Sequence, residues 1–267
     1  MTRPADHNLW ARFKTMSNDS PAKILIVALS VCLVCSILVS SAAVLLKPIQ
    51  QQNKNLGRQK EILKVAGLYQ ANIDPVEQFK SIETRYVDID SGKYADATNS
   101  NLLEKELIPD SKDIAGIGSR NRFLPVYLVY DKQQLSTIVL PLVGKGLWST
   151  IHGFIALAAD GNTVKAITFY DHAETPGLGG EISNPNWQLK WQGKQIRDSD
   201  GNMQLRVIKG HPDPASLHAK YEIDALSGAT LTANGVTRLI HYWLSDSGFG
   251  PFLARISGSA IQGTSYE

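Results

Sequence analysis

The sequence predicts an α+β protein: a single N-terminal transmembrane helix, followed by a domain in which helices flank an antiparallel sheet. Three observations lead there. An uninterrupted apolar run lies near the start, paired β-rich runs joined by turn residues fill the middle, and an apolar period of helical spacing closes the chain. Successive hairpins with helices set to one side argue against repeated βαβ units.

The 267 residues are 43% hydrophobic and 19% charged, enough for one sizeable folded domain with an appendage. Lys plus Arg number 27 against 25 Asp plus Glu, and a net charge of +2 is too small for the electrostatic footprint of a nucleic-acid binder. No nucleic-acid partner is expected.

From Ile24 to Leu46 the chain has no charge, proline or glycine. This run of about 23 residues exceeds the roughly 20 that cross a bilayer core. A cleaved signal peptide is the rival reading, because Ser-Ser-Ala-Ala near Ser41 resembles a cleavage site. The run is longer than the ~7–15 residues of a signal's apolar region, and the polar lead-in of residues 1–23 is long, which favours a retained anchor in the lipid bilayer. Arg3, Arg12, Lys14 and Lys23 outnumber Asp6 and Asp19 before the span, placing the N-terminus in the cytoplasm. Lys47, Lys54, Arg58 and Lys60 follow it and weaken the contrast. The expected location is a bacterial inner membrane, single-pass, with the main domain in the periplasm. Cys32 and Cys35 form a Cys-x-x-Cys pair inside the span, where two ligands alone make no metal site and packing of a membrane helix explains them. Without cysteines, the outward domain relies on an ordinary core.

Residues 47–140 read as a connector and the first part of that domain. Ile62, Leu63, Val65, Ala66 and Leu68 supply an apolar helical stripe, SIETRYVDID reads as a strand, and FLPVYLVY (123–130) and STIVLPLV (136–143) follow as two β-rich runs. The main body, 141–256, opens with the glycine-rich break GKGLWST (144–150). Next comes a hairpin turning on Asp160, Gly161 and Asn162. After it follow the loop AETPGLGGEI, a Trp-containing segment, the strand QLRVIK and a loop holding His211 and His218. A helix then begins near Thr230, with Leu231, Val236, Leu239, Ile240 and Trp243 on one face. Residues 257–267 read as a tail.

Several signatures fail. Gly177-Leu-Gly179-Gly180-Glu-Ile has Ile182 where a dinucleotide fingerprint needs glycine, and Gly144-Lys-Gly146 lacks the P-loop order. His172-Ala-Glu174 has no Cys-x-x-Cys partner of the deaminase kind, and no G-x-S-x-G elbow occurs. What remains is Glu174-Thr-Pro-Gly-Leu-Gly-Gly180, Ser227-Gly-Ala-Thr230 and Gly144-Lys-Gly-Leu-Trp148. Glycines admit close backbone approach, and the start of the Thr230 helix offers unpaired N–H groups to an anion such as a phosphate. Leu178 and Trp148 are placed to flank a flat aromatic group, with Glu174 and Thr175 bonding its polar edge. His172 reads as a loop-stabilising hydrogen bonder.

Asp224 followed by Ser-Gly-Ala-Thr, together with the upstream His172-x-Glu-Thr-Pro-Gly-Leu-Gly, resembles the FMN-binding domain family, and the resemblance spans nearly the whole chain. It implies that residues 141–256 are the FMN-binding domain. It also implies that FMN is joined through its phosphate to Thr230 by a separate periplasmic flavin transferase. Ser227, Gly228 and Ala229 would then bind the phosphate, and Glu174, Thr175, Gly177, Leu178 and Trp148 would lie near the ring. Thr230 is an acceptor rather than a catalyst, and no catalytic residue or metal ligand is expected on this chain.

The resemblance further implies an electron-transfer component of the sodium-pumping NADH:ubiquinone reductase (Nqr), a complex with no complete active site on this chain. Electrons would pass from a metal centre to the flavin of the B subunit, among the A, B, D, E and F subunits as partners, above all B, D and E. The lone helix has no ionisable residue to line a sodium path, which is expected elsewhere. Two alternatives stand: the G subunit of an Rnf-type ferredoxin:NAD complex, and a periplasmic binding module without redox function.

Overall fold

Alternation of apolar residues along β-rich runs requires one face of each strand to meet a core, and here both faces do. The computed structural model describes residues 13–95 and 105–262, with side chains as far as Ser257. Arg3, Asp6 and Arg12, which carry part of the orientation reading, lie outside the described residues, as does the end of the stretch read as a tail. The chain divides into two compact units, residues 1–55 and 56–267.

The first unit is dominated by helix α1 (Pro21–Val65), which continues into the second. Its apolar residues between Ile24 and Leu46 are exposed, and it is long and apolar enough to cross a membrane. The helix does not give way to a connector after Leu46. It passes through Pro48, whose ring removes one backbone bond, and continues because Gln50, Gln51, Gln52, Lys54 and Arg58 are good helix formers. A short helix, α2 (Pro75–Phe79), follows.

In the second unit, β1 (Glu83–Asp88), β2 (Tyr94–Ala95), β5 (Phe123–Asp131), β6 (Gln134–Lys145), β7 (Thr150–Ala158) and β8 (Val164–Asp171) form one antiparallel sheet. Its order is β2-β1-β5-β6-β7-β8. Between them β3 (Lys105–Leu107) and β4 (Ser119–Asn121) make a separate antiparallel pair. Helices α3 (Pro185–Leu189), α4 (Thr230–Leu244) and α5 (Gly250–Gln262) complete the unit, and the strand expected over QLRVIK shortens to β9 (Arg206–Val207), paired in parallel with β10 (Glu222–Ile223). Helix α5 buries Phe252, Leu253 and Ile256 and runs on to Gln262, so the stretch read as a tail from residue 257 begins as helix.

One sheet face, with Leu128, Ile138, Leu140, Ile155 and Phe169, packs with Trp187 and Trp191 and with Val236, Leu239, Ile240 and Trp243 of α4. The opposite face, with Tyr127, Val139, Phe154 and Ala156, is covered by Ile62, Leu63 and Val65 at the end of α1. Burial on both sides explains why FLPVYLVY and STIVLPLV read as nearly continuous apolar runs. Ala66 and Leu68 pack at the margin of the same cluster. Leu231 does not join the buried stripe of α4 and is 59% exposed.

β5 and β6 join through Lys132 and Gln133, both left-handed with φ of 47° and 70°. Their ladder runs to Tyr127↔Val139 and stops, because continuing the register would set Pro125 against Pro141, and neither has an N–H to donate. Beyond that point β6 finds other partners. Trp243 Nε1 donates to Val143 O at 2.6 Å, and Lys145 N donates to Ala115 O at 2.7 Å. A cavity lined by Arg58, Tyr86, Phe123, Pro125, Pro141 and Trp243 opens in the gap. The freed end of β6 lies on α4: a Cβ on Gly144 would sit 2.7 Å from Leu239 Cβ, and one on Gly235 would sit 2.7 Å from Lys145 O.

The expected β7–β8 hairpin turns on Gly161, at φ +67°. Asp160 closes it, accepting from Asn162 N at 2.8 Å, Thr163 N at 2.9 Å and Thr163 Oγ1 at 2.6 Å. Burial pushes this carboxyl up, but the Thr163 and Asn162 bonds outweigh burial and hold it below the ordinary value of 3.8. A depressed native pKa adds stability above the unfolded value and loses it as pH falls through the native one. Asp160→Ala should therefore cost about 1–2 kcal/mol at neutral pH. Thermal unfolding between pH 3 and pH 7 should show the deficit shrinking below about pH 4.

Candidate functional site

Three segments meet at the start of α4: the β6–β7 loop at 146–149, the stretch 172–180 after β8, and residues 224–232. The second forms a tight turn. Thr175 O accepts from Leu178 N at 3.1 Å and Gly180 N at 2.8 Å, with Pro176 and Gly177 (φ +74°) at the central positions of a type II turn. The third repeats the device, as Ala229 N donates to Leu226 O at 3.1 Å and Gly228 takes φ +68°. The turns touch: a Cβ on Gly228 would lie 2.8 Å from Leu178 Cδ2. Gly228 is therefore required by its own backbone and by its neighbour.

Helix α4 begins at Thr230 without a capping side chain. Ser227 is exposed and does not fill that role, and the first intrahelical-type bond comes from Ala233 N to Ala229 O at 3.0 Å. The amides of Thr230, Leu231 and Thr232 belong to the unpaired first turn, where the helix dipole favours an anion. Ala229, read from sequence as a phosphate neighbour, is buried with its amide already committed to Leu226. Thr230 is exposed. Leu147 (41%), Trp148 (68%), Leu178 (43%) and Leu231 (59%) leave apolar surface open on the three segments. Trp148 is thus no core residue. An anionic group at the helix start with a flat apolar body against these side chains suits the arrangement, which is the composition of FMN.

Glu174 is 4% exposed. Its Oε1 accepts from Trp148 N at 3.0 Å and Ser149 N at 3.2 Å, and its Oε2 accepts from Leu147 N at 3.2 Å and Thr232 Oγ1 at 2.6 Å. Burial alone would raise its pKa, but the bonds from Thr232 and the three amides hold it below the ordinary range. Nothing in the sequence singled out Thr232, whose spacing of two residues from Thr230 was the available signal.

His172 Nδ1 accepts from Glu174 N at 3.3 Å, which leaves the Nε2 proton for Ser183 Oγ at 2.6 Å; Ser183 Oγ donates to Phe169 O at 2.9 Å. His172 stabilises its loop, as the sequence suggests. Asp224 Oδ2 meets Lys190 Nζ at 2.5 Å and His211 Nδ1 at 2.6 Å. Burial pushes the Asp224 carboxyl up, and Lys190 and His211 together pull it below the ordinary range. Trp187 Nε1 donates to Asp224 O at 3.0 Å, fixing the approach to the Ser227 turn.

An antiparallel domain with an uncapped helix start between two glycine turns has the build of a flavin-binding module. Residues 146–245 match the family described as FMN-binding domain. The C subunit of the Na(+)-translocating NADH-quinone reductase of Pseudomonas aeruginosa is 43% identical over 254 residues, covering 90% of this chain and 97% of that protein. The corresponding C subunit of Yersinia pestis is 42% identical, covering 93% of this chain and 98% of that protein. The crystal structure of NqrC from Shewanella oneidensis superposes with a TM-score of 0.67 at 32% identity, over 75% of this chain and 96% of that one. The chain belongs to the NqrC family, the C subunits of Na(+)-translocating NADH-quinone reductases.

The contacts around Glu174 leave no room for side chains at the neighbouring glycines. A Cβ on Gly179 would stand 2.5 Å from Thr232 Oγ1 and 3.1 Å from Glu174 Oε2. Gly179→Ala should cost about 1–3 kcal/mol of stability through this overpacking. Gly57→Ala, where nothing lies within 4 Å of the added Cβ and φ is not left-handed, controls for loss of a glycine without overpacking, and thermal unfolding of the two full-length variants makes the comparison.

Proposed function

We propose that this chain is the membrane-anchored electron carrier of a sodium-translocating NADH:quinone reductase, with FMN joined by a phosphoester to Thr230 Oγ1. The observation that carries the reading is an exposed threonine opening an uncapped fifteen-residue helix after the Gly228 turn, beside a second glycine turn and a loop that present the exposed Leu178 and Trp148. Free first-turn amides and Ser227 would receive the phosphate. Leu178 and Trp148 would contact the ring, and Thr175 and Gly177 would shape the turn that presents Leu178.

FMN, when bound, accepts and donates electrons one or two at a time, the property a relay between a metal centre and the flavin of the B subunit needs. The chain's own part is to hold and aim. No base is required beside Thr230, because attachment falls to a separate periplasmic flavin transferase, and small residues at Gly228 and Ala229 leave the hydroxyl within its reach. The A, B, D, E and F subunits are the proposed partners, with B, D and E nearest in the electron path. The apolar helix would anchor the chain in the inner membrane with its second unit in the periplasm.

Denaturing gels viewed under ultraviolet light, paired with peptide mass spectra of protein from its native membrane, test the attachment. The unmodified chain should fluoresce and carry a flavin-phosphoryl adduct on Thr230. Thr230→Ser should retain it, whereas Thr230→Ala and Thr230→Val should lose all covalent flavin. Fluorescence surviving in Thr230→Ala would overturn the assignment.

A further inference from the structure

We propose that Glu174, acting with Thr232, is a positioning residue that pins the Leu147–Ser149 loop to the first turn of α4 and thereby aims Thr230 outward before any flavin arrives. The inference rests on the flavin reading of Thr230 and gives Glu174 a task different from touching the ring.

The carboxylate is fully engaged by its own chain. Each oxygen accepts two hydrogen bonds, from Trp148 N and Ser149 N on Oε1 and from Leu147 N and Thr232 Oγ1 on Oε2. A carboxylate offers about four acceptor directions, so a flavin edge would find none open. Its surroundings are shaped around it as well. A Cβ on Gly146 would collide with Glu174 Oε1 and stand 2.9 Å from Ile151 Cδ1, while Gly179 abuts both Glu174 and Thr232. The loop it holds carries the 68% exposed Trp148 and has little packing of its own.

Helical geometry supplies the link to Thr230. Residues two apart on an α-helix point about 200° apart around the axis. Thr232, 1% exposed, faces inward to Glu174, so Thr230 must face outward. The Thr232 bond thus fixes the rotation of an uncapped first turn that would otherwise fray. One buried anion sets both walls of the site: the loop bearing Leu147 and Trp148, and the hydroxyl that receives the phosphate.

The test uses full-length protein in detergent carrying Thr230→Val, so that flavin content does not vary. Mass-spectrometric amide exchange over residues 146–150 should be at least about tenfold faster in Glu174→Gln and severalfold faster in Thr232→Val. Thr232→Ser, which keeps the hydroxyl, should stay within about twofold of the parent. Exchange in β7 and β8 reports that the sheet is intact. In chains that keep Thr230, Thr232→Val should slow flavin attachment by transferase and FAD, and Thr232→Ser should restore it; general loss of packing would not respond to that hydroxyl alone. If Glu174→Gln does not fold, the Thr232 pair carries the test. The two failures read differently. A missing adduct on Thr230 in the unmodified chain sinks the flavin reading, whereas unchanged loop exchange in Thr232→Val sinks the positioning role even when flavin is attached.

Discussion

Both faces of the central sheet are apolar, and neither can be left to water. That constraint organises the second unit of the molecule. Ile62, Leu63 and Val65 cover one face, and they belong to the same helix as the apolar run from Ile24 to Leu46. Helix α4 covers the other with Val236, Leu239, Ile240 and Trp243, and its first turn is where the glycine loops gather. Burying a Leu or Ile side chain contributes roughly 1.5–3 kcal/mol, so the two coverings dominate the stability of the fold. The last turns of α1 and the helix that opens the candidate site are therefore held by one scaffold.

The prolines refine that scaffold. With a full ladder, β6 would stay beside β5 to its end. Pro125 and Pro141 oppose each other and stop the pairing, so Val143 and Lys145 turn to Trp243 and Ala115 instead. Gly144 and Gly235 then admit the close approach of β6 and α4. The loop that follows, with Leu147 and Trp148, reaches the start of α4 as a result. Two residues that weaken a sheet place a loop where the site needs it.

Much of this is legible in the sequence, for physical reasons that differ by element. The hairpin at Asp160 is readable because its turn chemistry is local, and the α4 stripe because its period is. Thr230, Leu178 and Trp148 stand out through the glycines around them. Other features depend on contacts distant in sequence. The full engagement of Glu174 arises from residues 25 to 58 positions away, and no local pattern announces it. The exposure of Leu231 follows from the rotation of α4, which Thr232 and Glu174 fix together. Pro125 and Pro141 each look like an ordinary flaw in a strand until register sets them face to face. The helix through Pro48 escapes a sequence reading because residues 47–55 are mostly polar and exposed, and such a stretch resembles a connector.

An electron carrier has a requirement that most cofactor sites lack: its redox group must stay near the surface, where a partner's group can come close. Deep burial would hold a flavin tightly but lengthen every transfer path. The candidate site has the opposite design, with Thr230 exposed and Leu147, Trp148, Leu178 and Leu231 between 41% and 68% open. Such a shallow surface encloses too little of a ligand to retain it by contact alone. The proposed covalent bond to Thr230 would resolve the conflict, since retention would no longer depend on enclosure. Rigidity must then come from beneath, from groups that order the surface without covering it. A buried carboxylate bonded to three loop amides and to the helix that bears the threonine meets that need without occupying the exposed surface.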